Sequence, residues 1–176
     1  MIAAALSLSL FTALMPHHEA PRAPSVVRAR LDSWTYEVRT DSFTGEKACR
    51  LFGRDPRSHV RMIYVPGAVA FQLPASQDTR AAVYRIDNGA PHATRDDETA
   101  LIQQHVVMPD PMLNQGALGL VFIPQQAVAG ARQVAIRTSP EVPPRTVELG
   151  GLDRALAAAE AQGCAPGAFA QLDLPE

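Results

Sequence analysis

From Ser33 onward, apolar and polar side chains alternate along most of the chain. In "SWTYEVRT", Trp34, Tyr36 and Val38 fall on one side and Thr35, Glu37 and Arg39 on the other, the period of a half-buried strand. "DSFTGE" collects turn formers, with Gly45 free to take positive φ. "KACRLFG" returns with Cys49 and Leu51 on its apolar side, so the two runs predict a first hairpin. "HVRMIYV" sets Val60, Met62 and Tyr64 against His59, Arg61 and Ile63. Pro66-Gly67 interrupts it, and "AVAFQL" resumes with Val69, Phe71 and Leu73 on one face. "RAAVYRIDNG" places Ala82, Tyr84 and Ile86 inward and ends on the turn signal Asn88-Gly89.

Beyond Gly89 the pattern is less regular. Asp96, Asp97 and Glu98 suit the first turn of a short helix reaching Gln104, with an irregular loop as the alternative. "ALGLVFIP" is a continuous apolar run, as expected of a strand buried on both faces. "QQAVAGAR" reads as a helical turn, and "RQVAIRT" and "RTVELG" as two strands split by the breaker "SPEVPP". Only Leu152 to Gly163 is clearly helical, with Leu152, Leu156 and Ala159 on one stripe and Gly163 at the place of a left-handed cap. Short strands followed by one late helix predict a mainly β fold: an antiparallel β-sandwich or open barrel with one C-terminal α-helix.

The first residues break this pattern. Ile2 to Leu14 is an uncharged apolar run of signal-peptide length, too short to span a bilayer. Its amino-terminal side lacks Lys and Arg, and Ala20 and Ala23 are each followed by Pro, which obscures a cleavage site. Met15 to Ser25 reads as a Pro-rich tether. The expected organisation is a signal peptide and leader over 1–25, a single β-rich domain over 31–165 and a loose tail over 166–176. The expected location is periplasmic or secreted, with no transmembrane span in the mature chain.

At 176 residues and 47% apolar composition the chain suits one domain with a real core. A net charge of −2 and the absence of a basic stretch argue against nucleic acid. All basic residues but Lys47 are Arg, which a GC-rich genome explains without any site. Export bears on the two cysteines, Cys49 and Cys164, which in an oxidising compartment are expected to pair. Two free buried thiols are the alternative. Zinc would want a C-x-x-C cluster, and a nucleophile a placed histidine.

The order of these pieces resembles the invasion-associated locus B-like proteins, small secreted or periplasmic proteins of proteobacteria. The resemblance rests on an exported leader, a Trp-bearing first strand (Trp34), a hairpin with Asp41, Gly45 and Cys49, and a late strand ending in Arg137. A helix follows that carries Gly151, Leu152, Ala155 and Leu156 before Cys164. It spans about Ser33 to Cys164, and the middle of the chain, "NGAPHATRDDETALIQQHVVMPDP", departs from it. It implies a compact β-sandwich-like domain with an association role at the envelope or in host contact, and it carries over no active site and no cofactor.

His59, His92 and His105, with Ser42, Ser58, Ser76 or Ser139 and an Asp, are the kit of a small periplasmic hydrolase, but no G-x-S-x-G elbow frames any serine. His17, His18 and Glu19 lie in the leader, where chance explains them. His92, Asp96, Asp97 and Glu98 offer oxygen and nitrogen ligands without the D-x-D-x-D-G order of a calcium loop, so a solvated helix start is the better account. Asp32, Asp41 and Asp55 are candidate acid–base carboxylates, with turn roles far commoner. Trp34, Tyr36, Tyr64, Phe71 and Tyr84 either line a ligand groove or form the core, and their spacing favours the core. Arg61, Arg85 and Arg137 would make a shallow anionic site if they shared an outer face. No catalytic, cofactor or metal residue is assigned on this basis. The expected role is binding, to a small ligand or to an envelope or host-surface partner protein.

Overall fold

The computed structural model describes residues 25–74, 77–106 and 119–169. The leader expected before Ser25, with its His17, His18 and Glu19, and the candidate Ser76 lie outside the described residues. The fold is mainly β. Among the described residues ten antiparallel strands form two sheets, and neither closes into a barrel. The larger sheet runs β1 (Ser25–Leu31), β2 (Trp34–Thr40), β3 (Lys47–Arg54), β4 (Arg61–Val65), β5 (Ala68–Gln72), then β8 (Leu120–Pro124). The smaller has the order β10 (Arg145–Glu148), β9 (Gln133–Arg137), β6 (Val83–Ile86), β7 (His92–Ala93).

The period-two faces become the core. Trp34, Tyr36, Val38, Cys49, Leu51, Val60, Met62, Val69 and Phe71 from the large sheet join Tyr84, Val134, Ile136 and Val147 from the small one in a single apolar cluster. The first turn forms as the sequence dictates. The Asp41 carboxylate accepts the amides of Phe43 and Thr44, each at 2.8 Å, and Gly45 takes φ 74°.

Among the described residues there are three helices: the expected C-terminal one, the short helix that Asp96 and Asp97 suited, and the helical turn after Pro124. α1 (Thr94–Gln103) lies over the outer face of the large sheet and buries Leu101 against a second cluster of Val65, Ala68, Ala70, Leu120 and Phe122. This cover is why β5 and β8 are buried on both faces, as the unbroken apolar run of β8 requires. α2 (Gln125–Val128) is a single turn. α3 (Leu152–Ala161) packs over β1, β2 and β3 through Leu152, Ala155 and Ala159. No helix among the described residues is long and apolar enough to cross a membrane.

α3 ends in a Schellman cap. Gly163, at φ 88°, donates to the Glu160 carbonyl at 2.7 Å, and Cys164 to that of Ala159 at 3.1 Å. The cap delivers Cys164 to Cys49 on β3, and the two form a disulfide with Cα atoms 6.0 Å apart, closing a loop across 115 positions. Both cysteines are buried. Two residues before Cys49, the Lys47 ammonium donates to the Gln162 carbonyl, a cation placed at the helix's negative end.

Structure lies on both sides of the expected 31–165 span. β1, ahead of residue 31, is an edge strand among the described residues, paired through all its residues with β2, and its Val26 and Val27 stay 53% and 42% exposed. Only Ala29 and Leu31 of β1 pack on the core, so the apolar pattern there is weak. At the other end, the segment expected to be loose begins ordered. Pro166–Ala168 is a 3-10 turn, and Phe169 is buried edge-on against Tyr64, with ring centroids 5.1 Å apart, beside Cys49.

Replacing Cys49 and Cys164 together by Ser is expected to lower the unfolding free energy by about 4–5 kcal/mol, as measured by urea denaturation. An unchanged midpoint would mean that packing alone holds α3. Gly163→Ala, forced to positive φ with its Cβ against the Lys47 side chain, is expected to cost about 1–2 kcal/mol in the oxidised protein.

Candidate functional site

The loop joining β3 to β4 is organised by one carboxylate. Asp55 is 1% exposed. Its Oδ2 accepts the amides of Ser58 at 2.6 Å and Arg57 at 3.1 Å and the Ser58 hydroxyl at 2.7 Å. Its Oδ1 reaches across to the Glu148 amide of β10 at 3.5 Å. His59 donates its amide to the Asp55 carbonyl at 3.0 Å and adopts φ 59°, which closes the loop and leaves its ring exposed. Burial pushes the Asp55 carboxyl up, but the hydrogen bonds from Ser58, Glu148 and Arg57 outweigh it and hold the pKa below the ordinary value.

Arg145 meets this loop from the other sheet. In the β9–β10 register it lies opposite Ile136, and Val147 opposite Val134, so Arg145 shares the inward face of its strand. At the strand's first position, that face ends beside the Asp55 loop, where Arg145 Nη1 donates to the Ser58 carbonyl at 3.3 Å. Its Nε is shut from solvent and finds no acceptor among the described residues. Arg145 and Ser58 form the wall shared by two open clefts of about 490 and about 550 Å³. The first also carries His59, Arg61 and Gln72, and the second Arg57 and Thr146.

The remaining candidates are dispersed. His92 Nε2 lies 3.1 Å from Asp97 Oδ1, and the Tyr84 hydroxyl donates to Asp97 Oδ2 at 2.9 Å. The two rings stand edge to face at 5.2 Å. Burial, then the bond to Asp97 and the charges of Asp97 and Asp96, push the Tyr84 phenol well above its ordinary pKa. This trio fastens α1 to β6 and β7. Asp96 stays on the exposed side of α1, and among the described residues no three His, Cys, Asp or Glu side chains converge as metal ligands. His105 is exposed at the end of α1, with φ 57°. Ser42 is exposed in the first hairpin turn, and Ser139 bonds to Glu141, whose carboxyl it helps to lower. Ser58 gives its hydroxyl to Asp55 rather than to a histidine.

Asp32, Asp41 and Asp55 occupy three separate turns. Asp32 pairs with Arg154 of α3, and Asp41 caps its own turn. The aromatic set forms core, not groove: Trp34, Tyr36, Tyr64, Phe71 and Tyr84 are all buried, and Trp34 Nε1 donates to the Leu149 carbonyl at 3.2 Å. Arg85 and Arg137 do share the outer face of the small sheet, where they flank a cavity of about 140 Å³, whereas Arg61 belongs to the other sheet. Sequence reasoning missed Arg145. The signal was present in "RTVELG", where period two puts Arg145 on the same face as Val147 and Leu149.

Compared with protein-family models, curated proteins and solved structures, the chain matches none.

Asp55→Asn is expected to destabilise the fold by about 1–3 kcal/mol at neutral pH, since amide donors lose a charged acceptor. The folded pKa lies below the unfolded one, so the carboxylate stabilises the protein above about pH 3.9, and that contribution is lost as pH falls through the folded value. The difference from the wild type should therefore shrink in acid. Urea titrations at several pH values would show it, and a difference constant to the lowest pH would refute the assignment.

Proposed function

We propose that the chain is an exported domain of the invasion-associated locus B-like type, acting by binding at the cell envelope or beyond it rather than by catalysis. The observation that carries this reading is the disulfide between Cys49 and Cys164. A bond that closes nearly the whole domain belongs in an oxidising compartment, where small domains use it to reinforce a limited core. The apolar run Ile2 to Leu14 supports delivery to such a compartment.

The polar side chains support binding over hydrolysis. An acyl-transfer site needs a serine hydroxyl on a histidine that a carboxylate orients. Here Ser58 bonds directly to Asp55, and the carboxylate that orients His92 has Tyr84 as its other partner.

The test is expression of the full chain, with a C-terminal tag, in a Gram-negative host. Intact mass under non-reducing conditions is expected to show periplasmic or secreted protein that has lost part of residues 1–25 and both thiol hydrogens. Full-length protein confined to the cytosol with free thiols would overturn the reading.

A further inference from the structure

We propose that Arg145 is the anchor of a binding site for an organic anion, a molecule with a carboxylate or phosphate on an apolar body. The proposal rests on the binding role argued above and names the chemistry of the ligand.

Three observations converge on this end of the two sheets. Arg145 is held in place before any ligand arrives, by its inward strand position and its bond to the Ser58 carbonyl. Its Nε is already stripped of solvent and has no acceptor among the described residues. An arginine held in this way loses little freedom when the part of its planar fork that faces the clefts pairs with an oxyanion.

Charge points the same way. The chain as a whole carries a net −2. Yet the described residues lining the two clefts include Arg57, Arg61, Arg145 and His59, and no Asp or Glu. Asp55, the carboxylate behind the loop, is engaged by backbone amides and the Ser58 hydroxyl. The clefts also supply apolar wall on both sides of the arginine: Val60, Leu73 and Pro74 in one, Val142, Pro143 and Pro144 in the other. An anion with an apolar body can thus seat its charged head on Arg145 and lay its body along either wall. Arg85 and Arg137 lack this arrangement, since both are exposed on an outer sheet face.

The oxidised chain, labelled with nitrogen isotope, would be titrated with inorganic phosphate, hexanoate and hexyl phosphate and followed by NMR. Shifts are expected at Ser58, His59, Arg61 and Arg145, with the alkyl ligands binding more tightly than phosphate and also moving Leu73 or Val142. Comparing hexanoate with hexyl phosphate distinguishes the two head groups. Arg145→Gln is expected to weaken binding about tenfold or more. Because that change could disturb the loop, the exposed Arg61→Gln serves as a second variant, expected to weaken binding severalfold with an unchanged urea midpoint, and Arg85→Gln as one that leaves affinity intact. Binding unaffected by Arg145→Gln and Arg61→Gln, or shifts centred on Arg85 and Arg137, would overturn the proposal. No binding by any of the three probes would overturn it too, while leaving export and the disulfide, which are read by mass, untouched.

Discussion

The junction between the end of α3 and the middle of β3 is the constraint on which the rest of the structure depends. The helix stops in a left-handed glycine turn, and that turn aims Cys164 at Cys49. Lys47, on the same side of β3, donates to the Gln162 carbonyl at the C-cap of the helix. With its far end fixed, α3 covers the inner side of β1, β2 and β3, the part of the large sheet from which the core takes Trp34. At the near end of α3, the Trp34 indole binds the Leu149 carbonyl, and Asp32 pairs with Arg154. The helix is thus pinned at both ends to one hairpin region, and the chain between Cys49 and Cys164 must fit within that closed loop.

Acidic side chains do similar work throughout. Asp41 and Asp55 each gather the amides of the turn that follows, and Asp87 accepts those of Arg132 and Gln133. These short carboxylates replace backbone partners at the ends of strands, where the ladder leaves donors unpaired. The consequence for function is subtractive. These carboxylates are occupied by turn donors, and the described residues lining the clefts at Arg145 include arginines but no Asp or Glu.

The strands with one buried face were legible in the sequence because burial imposes a strict period of two: β2, β3, β4, β6, β9 and β10 follow from Trp34, Cys49, Met62, Tyr84, Ile136 and Val147. β1 was not, because an edge strand with one partner and little core contact has no reason to alternate. α1 was legible as one of two even readings, since Leu101 is its one fully buried residue and its carboxylates also suit a loop. The pairing of β5 with β8 crosses a long excursion through the small sheet, and no local pattern encodes it. The disulfide followed from the number of cysteines and the expectation of export. The meeting of Arg145 with Ser58 did not, since it depends on how the two sheets are stacked, and alternation reveals only which way Arg145 faces.

β1 carries one more consequence. Among the described residues nothing pairs with its outer flank, and a flank of that kind with two exposed valines is a template onto which further strands can add, the first step of sheet-to-sheet aggregation. Along that rim stand Arg28, stacked 5.3 Å over the Phe52 ring, and Arg30, tied to the Asp32 carbonyl. Two copies brought rim to rim would set these arginines against each other, a repulsion that opposes pairing at this boundary.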